Sequence, residues 1–187
     1  MVWFWYFLIY SFLGFLVEVV YVRVVGGAKR DRKCRLLLPI CPVYGLGALA
    51  VLALPPFVQA RPLLLLPAAG AACTAVEYLT SLFYEKVFRV SFWDYSHLPG
   101  NLGGRVCPLF ALFWGILALA VLYLIHPAAA WLAARIPLWA LPPAAVLLGA
   151  DTLLTARLLR RSGDPAVLRW SGSSSTFGSD TGSHRSY

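Results

Sequence analysis

Apolar residues in this chain fall in long blocks. The first, Val2 to about Val25, holds a single ionisable residue, Glu18, before Arg23. Further blocks run from Leu36 to Leu54, Leu63 to about Phe83, Val106 to Ile125 and Pro137 to about Leu154. A helix needs about 20 such residues to cross a bilayer. The pattern therefore predicts an all-α, polytopic transmembrane helix bundle of about five spans, occupying residues 1–160. Two readings of the second span stay open. Pro39 and Pro42 kink it at the depth of Glu18 if the helix begins by Pro39, or else the helix simply starts late.

Two stretches break the block pattern. From Arg89 to Gly104, between spans three and four, aromatic, polar and Gly residues mix. Irregular backbone exposed to lipid would leave peptide groups unpaired, so an interfacial or re-entrant segment packed on the helices is expected there. Beyond Arg161 the chain turns Ser- and Gly-rich, and residues 161–187 are expected to form a disordered cytoplasmic tail.

Composition agrees with a membrane protein. Of 187 residues, 60% are apolar and 13% charged, against roughly 25% charged in an ordinary soluble domain. Cys34, Cys41, Cys73 and Cys107 have neither the spacing of a disulfide framework nor that of a zinc site. Neither a metal nor a cofactor is expected. A phosphate-binding loop and a serine-hydrolase elbow are absent, so any ATP hydrolysis belongs to a separate subunit. Of the 16 Lys and Arg, all but Arg61 and Arg135 fall after span one, between spans three and four, or after span five. Basic flanks are retained on the cytoplasmic side, which predicts a multi-pass protein of the cell membrane with its N-terminus outside and its C-terminus inside. Topology and anionic membrane lipid account for the net charge of +8, and nucleic acid is not an expected partner.

Three acids lie inside the apolar blocks: Glu18, Glu77 and Asp151. Each costs about 2.5 to 3.5 kcal/mol to insert, so such groups are paired or line a hydrated cavity. At about 1.5 Å per residue all three are expected within about 10 Å of the inner interface. Glu18 shares a helical face with Ser11, Gly14 and Tyr21; Glu77 shares one with Gly70, Thr74, Ser81 and Tyr84. These stripes are either packing seams or the walls of a cavity open to the cytoplasm. Arg105 opens span four beside Asn101 and Gly104, with Asp94 on the same connection. A guanidinium there would pair with a carboxylate whose identity the sequence leaves open. Tyr95, Ser96 and Asn101 add neutral donors and acceptors nearby.

Several motifs in order carry a resemblance. Ser11-Phe12-Leu13-Gly14-Phe15 with Glu18, then Pro39-Ile40-Cys41-Pro42-Val43-Tyr44-Gly45, then Glu77-Tyr78, are followed by Phe92-Trp93-Asp94-Tyr95-Ser96. Asn101, Gly104-Arg105-Val106-Cys107 and Trp114-Gly115 complete the set. Together they resemble the putative ABC-transporter type IV (CmpB-like) family of integral membrane proteins, from about Ser11 to Gly115. The resemblance implies a permease. Its motif positions, with the membrane acids, give the candidate cavity residues Glu18, Tyr44, Glu77, Tyr78 and Trp93. Asp94, Tyr95, Ser96, Asn101 and Arg105 complete them.

Three functions are compatible with these features. The first is a permease-like protein whose polar cavity near the cytoplasmic leaflet binds a small polar or amphiphilic solute, working as a homodimer or with a separate ATPase. The second is an intramembrane enzyme acting on a lipid or isoprenoid head group through acid, Arg, Tyr and Asn side chains at one depth. The third is a non-catalytic membrane scaffold whose polar residues only specify packing.

Overall fold

The computed structural model describes residues 1–25 and 35–168. Most of the expected tail, and the basic residues Lys29 to Lys33 of the first connection, lie outside the described residues. The fold is all-helical: α1 (Val2–Val25), α2 (Pro42–Leu52), α3 (Pro56–Gln59), α4 (Pro62–Phe88), α5 (Pro108–Ala120), α6 (His126–Arg135) and α7 (Leu141–Ser162). Among the described residues, four helical runs are long and apolar enough to cross a membrane: Val2–Tyr21, Pro62–Phe88, Pro108–Arg135 and Leu138–Ser162. The shorter apolar α2 completes roughly five spans. Their outward surfaces carry large apolar side chains such as Leu63, Leu124 and Val146, as lipid-facing helices do.

The second span is where chain chemistry departs most from the simple block pattern. The helix begins late, with Pro42 as its first residue. Eleven residues rise only about 16 Å, too little to cross a bilayer alone. The chain ahead of it, from Arg35 to Cys41, is not helical, and three of its peptide N–H groups find partners on neighbouring helices. Leu36 N donates to Thr155 Oγ1 (3.2 Å) and Leu37 N to Asp151 Oδ1 (2.8 Å), both on α7. Cys41 N donates to the Ser11 carbonyl of α1 (2.8 Å). Pro39 and Pro42 have no N–H to satisfy. Non-helical backbone at this depth is tolerated because protein, not lipid, surrounds it.

The fourth span is longer than its apolar block. A single rod of 28 residues, Pro108–Arg135, passes through a π turn at Val121–Ile125. Pro127 cannot donate to the carbonyl four residues back, and the wider turn, in which His126 N bonds Val121 O, accommodates it without ending the rod. Helix α4 likewise runs five residues past the expected Phe83. It stops at Arg89, which takes a left-handed conformation (φ 57°) with its N–H returned to Glu85 O.

Chain direction then sorts the ends. The C-terminal ends of α4 and α7 meet with Arg35–Leu37 on one face, hereafter the basic face, where Val90, Leu159 and Leu168 form a small buried cluster with Leu36, Tyr84, Phe88 and Phe92 around it. The main packing seam joins α4 to α5. A Cβ on Gly115 would lie 2.5 Å from Leu66 O, and one on Gly70 would lie 2.8 Å from Ala111 O, so these helices touch backbone to backbone. Val51, Leu65, Ala69, Cys73 and Ala118 fill the space beside that seam.

Candidate functional site: an acid cluster at the start of the second span

Helix α1 supplies Glu18 and α4 supplies Glu77, each on the small and polar stripe expected for it. Side chains from three other segments converge on them. Tyr44, in the first turn of α2, donates its hydroxyl to Glu18 Oε1 at 2.8 Å. Its ring lies where a Cβ on Gly14 would stand, which is why the α1 stripe needs a glycine there. The same ring packs on Trp114 of α5 with centroids 5.0 Å apart. Trp114 Nε1 donates to Glu77 Oε2 at 2.9 Å, and Tyr95 donates its hydroxyl to Glu77 Oε1 at 3.0 Å. Glu77 is only 4% exposed. The Tyr44–Trp114 contact thus links the two carboxylates.

Tyr95 arrives there because the connection between α4 and α5 folds inward. Val90, Tyr95, Val106 and Cys107 are buried, and the Tyr95 ring stacks on Phe110 at 4.5 Å. A short bridge between Leu102 and Val106 closes the turn, and Tyr95 N donates to Gly104 O. Asp94 Oδ1 accepts from Ser96 N (2.9 Å) and its Oδ2 from Ser96 Oγ (3.0 Å). Asn101 donates to Leu98 O (2.8 Å) and accepts from Gly104 N (3.0 Å). Gly104 has φ 70°, and a Cβ there would meet Asp94 Oδ1 at 2.7 Å, so this turn requires glycine. Asp94, Ser96 and Asn101 thus shape the connection that delivers Tyr95, and they stand apart from the two acids.

Arg105 also lies apart from the pair. Its Nε and Nη2 both donate to Oε2 of Glu85, the former at 3.1 Å. Trp93 Nε1 holds the Arg105 carbonyl (2.9 Å), and the guanidinium sits 5.7 Å from the Tyr78 ring centroid. The hydrogen bond to Glu85 holds Arg105 charged even more firmly than usual. Neither Glu85 nor Trp114 was among the candidate residues, although Trp114 stood in a motif. The signal for Glu85 was present, since Glu77, Ser81 and Glu85 continue one face of α4 turn by turn, and Ser81 Oγ bonds Glu85 Oε1 (3.3 Å). Asp151 belongs to neither group: it is fully buried on α7 and accepts from Leu37 N.

The arrangement has a definite chemical character. Glu77 is hydrogen-bonded by two neutral donors and carries no ion pair among the described residues, while the Arg105 guanidinium is engaged by Glu85. Such a cluster can take up a proton or a cationic group. Among the described residues no three His, Cys, Asp or Glu side chains converge as a metal site would require.

A family model described as "Putative ABC-transporter type IV" matches residues 5–155. No curated protein and no solved structure matches the chain.

Proposed function

The chain belongs to the putative ABC-transporter type IV family and is a multi-pass membrane protein, and from that premise we propose that it is a permease-like subunit. In this proposal the cluster of Glu18, Tyr44, Trp114, Glu77 and Tyr95 binds the cationic or hydrogen-bond-donating end of a small amphiphilic solute. The basic face is the cytoplasmic one, and a separate ATPase supplies the energy. The observation that supports this most is Glu77. An acid buried in an apolar helix costs about 2.5 to 3.5 kcal/mol, yet its partners here are a tyrosine and a tryptophan from two other segments, with no resident cation among the described residues. The non-helical chain ahead of α2, whose first turn carries Tyr44, adds irregular backbone beside the cluster, and such backbone at membrane depth is tolerated where it is buried in protein or lines a cavity.

The test uses tetraphenylphosphonium, a lipophilic cation, and equilibrium dialysis on the purified protein in lipid nanodiscs. Wild-type protein is expected to bind it saturably. Replacing Glu77 by Gln removes a charged partner worth about 1.5 to 3 kcal/mol, so affinity should fall about 10- to 100-fold with the melting temperature retained. Unchanged affinity in both Glu18→Gln and Glu77→Gln would overturn the proposal. A loss of melting temperature alone would mark the stripes as packing seams.

A further inference from the structure

A second polar pair lies deeper in the bundle and has no part in the acid cluster. Tyr10 Oη of α1 and His126 Nδ1 of α6 are 2.9 Å apart, and the Tyr6 ring packs edge-on to the imidazole at 5.1 Å. His126 is nine residues from the end of the rod at Arg135, about 14 Å along the axis, so this is a titratable group well inside the span. Ionisable side chains at such depth are expensive and mark ion or proton pathways. The π turn ends immediately before it, and π turns recur at functional positions.

Between the two polar groups lies a chamber of about 60 Å³. Tyr10 and Tyr44 both line it, with Leu13, Val51, Leu117 and Ala118 among its walls. Tyr44 is the residue that bonds Glu18. We propose that His126, Tyr10, Tyr44 and Glu18 form a proton route through the bundle, interrupted in this conformation by the chamber, which acts as its gate. About 10 to 15 Å³ suffices for one water, so there is room, but an apolar wall disfavours filling. Hydrophobic constrictions gate by this kind of dewetting.

The transfer balances. A proton held on imidazolium leaves Nδ1 for Tyr10 Oη as the tyrosine's own proton passes to a chamber water. A file of chamber waters, each gaining one proton and losing one, passes a proton on to Tyr44 Oη, whose original proton goes to Glu18 Oε1. Each relay atom gains one proton and loses one, and no electrons move. Tyr6 and Tyr10 of α1 are the titratable groups that face His126. At the other end Glu18, Cys41 and Tyr95 are the titratable groups near Tyr44, and Glu77 is the one near Glu18. The proposal shares Glu18, Tyr44 and their membrane setting with the permease reading, but no solute is involved.

Proton flux would be followed in liposomes containing the full chain and an internal pH dye, driven by a potassium diffusion potential. Leu117→Ser should wet the chamber and raise flux well above the protein-free rate. Adding His126→Phe, or Tyr10→Phe, to that variant should return flux to the protein-free rate. Should Leu117→Ser not fold, Ala118→Ser places a hydroxyl on the same wall for the same comparison. Flux at the protein-free rate in the folded wetting variants, or flux that survives His126→Phe, would overturn the route. Loss of tetraphenylphosphonium binding with this flux intact would count against the solute site alone, and the opposite pattern against the route alone.

Discussion

The α4–α5 seam and the attachment of α7 hold two helices to one bundle by opposite means. At the seam, Gly70 and Gly115 let backbones touch, and the contact is made chiefly by packing, with the Trp114–Glu77 hydrogen bond beside it. Helix α7 instead holds the chain ahead of α2 through a polar row: Thr152 Oγ1 accepts from Arg35 Nη1 (2.6 Å), Asp151 from Leu37 N and Thr155 from Leu36 N. Lipid tails are as apolar as Leu, so burial alone does not drive helices together in a membrane. Close packing and hydrogen bonding are the two remaining routes, and this protein assigns one to its centre and the other to its edge. The difference has a functional side. The seam fixes Trp114 against Glu77, whereas the α7 row fixes the entry to the late-starting helix that carries Tyr44.

That contrast can be broken from either end. Gly115→Val forces a branched side chain against Leu66 O, with an expected loss of about 3 kcal/mol. The whole fold should melt earlier, read as a fall in the unfolding temperature of the detergent-solubilised protein. Asp151→Ala leaves the Leu37 N–H without its acceptor, a penalty of about 2 kcal/mol. Because the damage is confined to the α7 contact, trypsin should cut after Arg35 markedly faster while global melting moves less than for Gly115→Val. The smallest effect belongs to Glu85→Gln. Arg105 and Glu85 side chains are 23% and 31% exposed, so solvent screening limits the loss to below about 1 kcal/mol. A melting shift as large as that of Asp151→Ala would show that the inward-folded connection depends on this ion pair and not on its own Asp94, Ser96 and Asn101 contacts.

Much of the site was legible in the sequence. Glu18 and Glu77 stand out because ionisable groups in apolar blocks are few, and their stripes of small residues predicted close helix contact. Tyr44 and Tyr95 were visible as members of aromatic and polar motifs, but their partners were not, because a hydroxyl's partner depends on how a connection folds back. Arg105 shows the same limit. Asp94 is close to it in sequence, yet Glu85, on the far side of the turn in α4, receives it. Span lengths failed where proline was judged by the chain alone. Pro42 begins a helix, whereas Pro127 is carried inside a rod by a π turn.

Block length and charge distribution by themselves determined that this is an all-helical membrane protein with roughly five crossings, because insertion responds to hydrophobicity summed along one segment. Which acid meets which donor was settled only by tertiary structure. Hydrogen bonds act over about 3 Å, and residues brought that close here, such as Tyr95 and Glu77 or Leu37 and Asp151, come from segments whose approach depends on every helix between them.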